Sequence, residues 1–271
     1  MSVTTVCRFL GMPLLLVQFL IAIISSFVAV TIGSGGDVLF LSGVLFLAPL
    51  IAHHYQSTFS VGTLVATQGI VGTFVGGIAY FRTSDIPTRD LVRAIGAVVI
   101  GSLGSSFVAY LLPSRILQAI LAIAITAATV RVFFIHKAPV GRHKEGSKGL
   151  NWAILISIFF IAALTGGLGV GGGFLFFIAL LKLKISGSAT RGFTLILTFT
   201  NLVTSFFGHL VHSSVSGHAL EVVAFGALLG SLFASLFLTG INERVARWGL
   251  RILLIGSAAM SWMPIWSYKG L

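Results

Sequence analysis

The chain has 271 residues, 56% of them hydrophobic and only 8% charged, with a mean hydropathy of +1.07. Soluble domains carry about 25% charged residues, so the composition excludes a water-soluble fold, and the long unbroken apolar runs exclude a β-barrel, whose strands alternate. A net charge of +11 does not point to nucleic acid here, because Lys and Arg fall in short loops between apolar runs, as in multi-pass membrane proteins; the fold class that remains is an all-α polytopic membrane protein.

The first apolar run, Pro13 to Ile32, is about 30 Å long as a helix and can span a bilayer. No small-residue cleavage site ends it, so it reads as a membrane segment rather than a removed signal peptide. Gly33-Ser34-Gly35-Gly36-Asp37 follows, then the run Val38 to Ala52, about 22 Å and short for a crossing. After the polar His53-His54-Tyr55-Gln56 comes Phe59 to Phe81, a full-length segment with Thr63, Thr67, Gln68 and Thr73 inside it. Arg82 to Asp90 is a charged loop. Leu91 to Leu112 and Arg115 to Ile135 are plain spans joined at Pro113-Ser114.

Residues 136–150 form a basic hinge, which divides the chain into an N-terminal repeat (1–135), a linker and a C-terminal repeat (151–271). The pattern then restarts. Trp152 to Leu168 is apolar, Gly169-Val170-Gly171-Gly172-Gly173 interrupts it, and Phe174 to Leu181 leads to the basic stretch Lys182 to Arg191. Gly192 to Val211 is again polar inside, with Thr194, Thr198, Thr200, Asn201, Thr204, Ser205 and His209. Leu220 to Thr239 and Leu250 to Trp266 complete the chain, with Trp262 and Trp266 suited to the interfacial belt.

Aligning Gly33 with Gly169 sets Gly-Ser-Gly-Gly-Asp-Val-Leu-Phe against Gly-Val-Gly-Gly-Gly-Phe-Leu-Phe. With a small shift, Thr63, Thr67, Thr73 and Gly77 face Thr194, Thr198, Thr204 and Gly208. The basic loops share one side if Arg82, Arg89, Arg93 and the central linker are cytoplasmic, leaving Arg8, Arg115 and Lys269 outside. Each half then makes an odd number of net crossings, and the repeats are inverted. Each holds a Gly-broken helix pair, or a re-entrant hairpin, plus three transmembrane helices; charge does not separate ten spans from six spans plus two hairpins.

Glycine clusters break apolar helices, and a break at membrane depth is tolerated only where the freed backbone groups are buried in protein or line a polar cavity. A helix that restarts there presents N–H groups and the positive end of its dipole, which suits an anion. Paired broken helices are the best sequence pointer to a transporter's site. Gly171, Gly172 and Gly173, and by symmetry Ser34, Gly35 and Gly36, are therefore candidate ligands, against the plainer use of membrane glycine in helix packing. Asp37, an acid within an apolar stretch, is a functional candidate by default. It would repel a neighbouring anion unless protonated, which offers proton coupling; it would equally serve as the N-cap of Val38 to Ala52. Thr67 and Gln68, with Thr198 and Asn201, are candidates for a polar cavity wall, although each Thr can bond back to its own helix. Arg191 suits an oxyanion by its bidentate fork, with a plain cytoplasmic charge as the simpler account. His209 and His212 share a face at i, i+3, a metal pair for which only the distant His218 and Glu221 offer further ligands; a pH-sensitive outer gate or a plain interfacial pair is the simpler account.

The doubled element Gly-x-Gly-Gly-Gly-Phe-Leu, after an apolar run and before a Gly/Thr-rich span, resembles the sulfite exporter TauE/SafE permease family. Residues 169–174 fit that pattern well; in the first half Asp37 stands where a third glycine is usual. The resemblance covers nearly the whole chain. It implies a secondary transporter of small sulfur-containing anions such as sulfite or organosulfonates, resident in the cell membrane. The alternatives are an intramembrane metal-binding protein or enzyme using Asp37, His209 and His212, or a passive anion channel. No nucleotide-binding loop or nucleophile motif is present, so no catalytic residue, resident metal or cofactor is expected. The partners expected are the anion and the bilayer, with a homodimer left open.

Overall fold

The computed structural model describes residues 3–33, 36–52, 58–83, 87–134, 150–183 and 187–237, with single helical positions from 248 to 262. Ser34, Gly35, His53, His54, most of the central linker and Trp266 lie outside the described residues. All regular structure among the described residues is helical: α1 (Val3–Ile32), α2 (Gly36–Ala52), α3 (Thr58–Thr83), α4 (Thr88–Ala109), α5 (Ser114–Phe134), α6 (Trp152–Gly167), α7 (Gly173–Leu180), α8 (Gly187–Leu210) and α9 (Gly217–Leu236). A 3-10 turn, Leu181–Leu183, extends α7. Five helices, α1, α3, α4, α8 and α9, contain stretches long and apolar enough to cross a membrane. Their outer faces carry exposed Phe74, Phe107, Phe207, Phe225 and Phe233, a lipid-facing surface that water would not tolerate.

Helix ends follow local chemistry. Asn151 caps α6, its side-chain oxygen accepting from the Ile154 amide at 3.0 Å, a start signal that composition alone passes over. Pro87 precedes α4, where its lack of an N–H costs nothing. α4 stops at Ala109, three residues earlier than its apolar run, because the chain turns through Tyr110 to Leu112 ahead of Pro113. α8 starts at Gly187, so Arg191 lies inside its second turn and not in the preceding loop.

The packing pairs helices across the halves. A methyl added at Gly62, Gly69 or Gly76 of α3 would lie 3.2 Å from His209 Nδ1, 2.5 Å from Leu202 Cδ1 or 3.2 Å from Leu195 Cδ1 of α8. The partners descend as the glycines ascend, so α3 and α8 are antiparallel, and the glycines recur every seven residues. Small residues at that spacing let two backbones approach closely. α1 instead runs parallel to α9: Phe19 stacks on Phe225, and Phe27 meets Phe237 edge-on. α4 runs parallel to α6, with Gly101 against Phe159 and Ala163, and Ser105 against Gly167. Trp262 donates to Thr126 of α5 at 3.0 Å, which ties that residue to the bundle.

Two apolar cores result. One gathers Ile21, Val38, Phe40 and Leu64 with Ala219 and Val223 of α9. The other gathers Ile158, Phe176, Phe193 and Leu197 with Leu91, Ala94 and Val98 of α4. Gly230 marks how tightly the first is closed, since an added methyl would collide with the Ile23 carbonyl of α1. Gly230→Val is expected to destabilise the bundle by about 1–3 kcal/mol through overpacking. A lowered thermal midpoint of the purified protein in detergent, beside an unchanged Gly104→Ala control whose surroundings are open, is the measurement.

Candidate functional site

Both glycine clusters break their helices, and each break ends one helix and starts another by a different device. At the second, the Gly169 amide bonds to the Gly166 carbonyl at 3.1 Å and the Val170 amide to the Thr165 carbonyl at 2.9 Å. That pair of bonds, with Gly169 at φ +71°, is the Schellman closure of α6. The chain then restarts as α7 from Gly172, which sits at φ +69° and has Thr165 so close that an added methyl would be 2.5 Å from its hydroxyl. At the first break, the Gly33 amide bonds the Ala29 carbonyl at 2.9 Å with φ +82°, the simpler left-handed closure. α2 then folds back along α1: Gly36 packs on Ala29, and Gly43 on Ile21.

The two breaks meet α3 and α8 from opposite ends. Gly33 lies beneath the aliphatic stem of Arg191, near the start of α8; a methyl there would be 2.6 Å from Cγ. Gly169 lies against Gly62, beside the His209 end of α8. Between these contacts the breaks converge. The buried Asp37 carboxylate accepts the Gly172 amide at 3.0 Å, with the amides of Gly171 and Val38 also turned toward it. Gly171 has no room for a side chain, because Thr198 and Leu202 of α8 and the Asp37 carboxylate surround it.

Asp37 stands in the first turn of its own helix, with the Val38 amide toward its carboxylate, and it serves a second helix as well. α2 begins one residue earlier, at Gly36, and the carboxylate reaches 135 residues along the chain to the amino end of α7. There it meets the unsatisfied amides and the positive end of the α7 dipole. A carboxylate held this way occupies the position at a helix amino end that favours negative charge.

Asn201 organises the second break from α8. Its side-chain amide faces Thr165 Oγ1 at 2.9 Å and the carbonyls of Val170 and Gly171 at 3.1 Å each. Those carbonyls lost their helical partners at the break, so Asn201 supplies what lipid cannot. Its Oδ1 is buried and has no hydrogen-bond partner among the described residues. Gln68 is buried in the same way: Nε2 donates to Ser26 of α1 at 2.7 Å, and Oε1 has no partner among the described residues. Thr67 and Thr198 donate to the carbonyls of Thr63 and Thr194 at 2.8 Å each. Their hydroxyl protons are spent within their own helices, and Thr198 turns its methyl toward Gly171. Gly173 begins α7 and is buried. Arg191 is half-buried and stays apart from Asp37, about 10 Å along α8 from Thr198 at 1.5 Å per residue.

The three residues of the metal reading are not gathered. Asp37 engages Gly172, His209 Nε2 lies 3.1 Å from the Gly166 carbonyl, and the exposed His212 stacks on Tyr110 with centroids 3.9 Å apart. Among the described residues, no three His, Cys, Asp or Glu side chains stand where they could share a metal ion.

Sequence reading missed the heptad Gly62, Gly69 and Gly76, although its spacing was visible. It also missed the Gly166 carbonyl as a focus, which only the fold creates. No curated protein and no solved structure matches the chain. Residues 18–261 match the family described as Sulfite exporter TauE/SafE, so a many-helix membrane protein with two helix breaks closing on one carboxylate belongs to the TauE/SafE family of sulfite exporters.

Proposed function

We propose that this chain is a secondary transporter that moves small sulfur-containing anions, sulfite or organosulfonates, by alternating access between two inverted repeats, with a proton carried on Asp37. One observation bears most of the weight: the carboxylate of one half rests on the Gly172 amide of the other half's broken helix. The packing supports the inverted arrangement. Matching α1–α5 with α6 onward turns the α1–α9 pair into the α6–α4 pair, and both are parallel, while α3 and α8, which correspond to each other, are antiparallel.

The chemistry follows from competition for one set of amides. With Asp37 ionised, its carboxylate satisfies Gly172 and repels a second anion. Protonation removes the charge and weakens the bond, and the amides of Gly171, Gly172 and Gly173 are released to an oxyanion. Gly36 belongs to the first break, and the buried amides of Gln68 and Asn201 are the polar side chains assigned to the wall. Arg191, standing over Gly33, offers a guanidinium to an oxyanion arriving from the basic, cytoplasmic side. One proton and one anion then travel together.

Binding to the purified protein in detergent tests this with sulfite, thiosulfate, methanesulfonate, sulfate and acetate. A sulfur oxyanion is expected to bind in preference to acetate, and to bind more weakly as pH rises and Asp37 ionises. Indifference to every sulfur anion across the pH range, in a protein that unfolds cooperatively, would overturn the proposal.

A further inference from the structure

The same break carries a second titratable residue at its other end. Gly166 is in the last turn of α6, and its carbonyl accepts the Gly169 amide at 3.1 Å and the Ser205 hydroxyl at 2.8 Å, with His209 Nε2 at 3.1 Å and Ser106 Oγ at 3.4 Å. A carbonyl offers two lone pairs, and here it also forms the negative end of the α6 dipole, where a cation is favoured. His209 thus sets one ring nitrogen against the carboxyl end of α6, as the Asp37 carboxylate sits against the amino end of α7.

His209 belongs to a stripe. His212, His209, Ser205, Asn201, Thr198 and Thr194 follow one another at spacings of three or four residues, which places them on one face of α8. All but His212 are buried. The stripe starts at the exposed His212, stacked on Tyr110 of the turn after α4, passes Gly166, and ends where Thr198 meets Gly171 beside Asp37. Among the described residues around His209, α3 presents Gly62, α6 presents Gly166 and α4 presents Ser106 to the same carbonyl, and the charge that faces it is that of His212 on its own helix. Among the described residues nearby, Tyr110 is the other titratable group at the mouth, while His218 and Glu221 at the start of α9 pair with each other at 3.5 Å.

We propose that this face of α8 is the route by which protons reach Asp37 from one side of the membrane, with His212 at its mouth and His209 as its buried station. It rests on the reading of Asp37 as the coupling carboxylate. A proton from hydronium in bulk solution passes to the His212 imidazole, then to His209, and then through water admitted along the stripe to the Asp37 carboxylate, about 16 Å further along α8. Each transfer leaves its donor neutral, and no other reactant is consumed.

The test uses the full chain in proteoliposomes with radiolabelled sulfite, comparing wild type, His209→Gln and His212→Gln. Gln keeps a donor for Gly166 but cannot carry the proton. Sulfite uptake driven by a proton gradient is expected to fall about 10-fold or more in His209→Gln and by a smaller factor in His212→Gln, while sulfite–sulfite exchange without a gradient continues. Gradient-driven uptake equal to wild type in both variants would overturn the route and leave the coupling reading standing. A wild type that exchanges sulfite but ignores the gradient would overturn both. Should His209→Gln fail to insert, His212→Gln decides alone, since its side chain is exposed.

Discussion

Gly172→Leu is expected to abolish sulfite transport, by about 100-fold or more in initial rate per inserted molecule, while the protein still reaches the membrane. Two costs fall on one residue. Gly172 holds φ +69°, a left-handed conformation that costs an L residue roughly 1–2 kcal/mol. Any Cβ would also drive into the Thr165 side chain. Relief requires α7 to shift against α6, and the amide that now bonds Asp37 moves with it; a misplacement of about 1 Å in a binding constellation is enough for a loss of this size. The Gly172→Ala variant separates the causes, since it adds the same strain with the smallest bulk and is expected to retain partial flux. Transport rates in proteoliposomes, normalised to the amount inserted, are the measurement. Wild-type kinetics in Gly172→Leu would remove the second break from the transport site.

Asp37→Asn is expected to remove the pH dependence of transport rather than transport itself. The Asn carbonyl can still accept the Gly172 amide, but without the charge that makes such a bond worth about 1.5–3 kcal/mol. The variant resembles the protonated carboxyl at every pH. Wild-type flux should fall as pH rises, because the ionised carboxylate reclaims the amides; the variant should show a flat profile, lose accumulation driven by a proton gradient and keep exchange. The two halves of that outcome are measured separately, by the pH profile of exchange and by uptake under an imposed gradient. A variant whose pH profile matches wild type would leave Asp37 as a structural anchor between the breaks.

Much of the architecture could be read from one-dimensional pattern because the bilayer allows so few solutions. Apolar run length marked the helices from Pro13 to Ile32 and from Trp152 to Leu168 to within a residue at their glycine ends, where Gly33 and Gly169 stop them. The errors fell where apolarity and helicity separate. Gly187 to Arg191 is polar yet helical, and Tyr110 to Leu112 is apolar yet turns ahead of Pro113. The candidate site was legible as residue types but not as roles. Asp37 was singled out for its rarity, but a cap 135 residues away leaves no local trace. The five residues from Gly169 to Gly173 look alike as a cluster, but Gly169 closes a helix, Gly171 makes room for a carboxylate and Gly172 opens the next helix. Asn201 reads as a polar wall residue, while the geometry makes it the clamp on the freed carbonyls of Val170 and Gly171.

The exchange of helices between the halves has a bearing on how such a chain comes to be. Neither segment owns a complete interior: the first core borrows Ala219 and Val223 from α9, and the second borrows Leu91, Ala94 and Val98 from α4. Residues 1–134 alone would leave α4 without its parallel mate and expose a seam of glycine and serine to lipid. The covalent join therefore does more than hold two parts together: it guarantees that the side chains each core borrows are present in every molecule, in equal number and within reach.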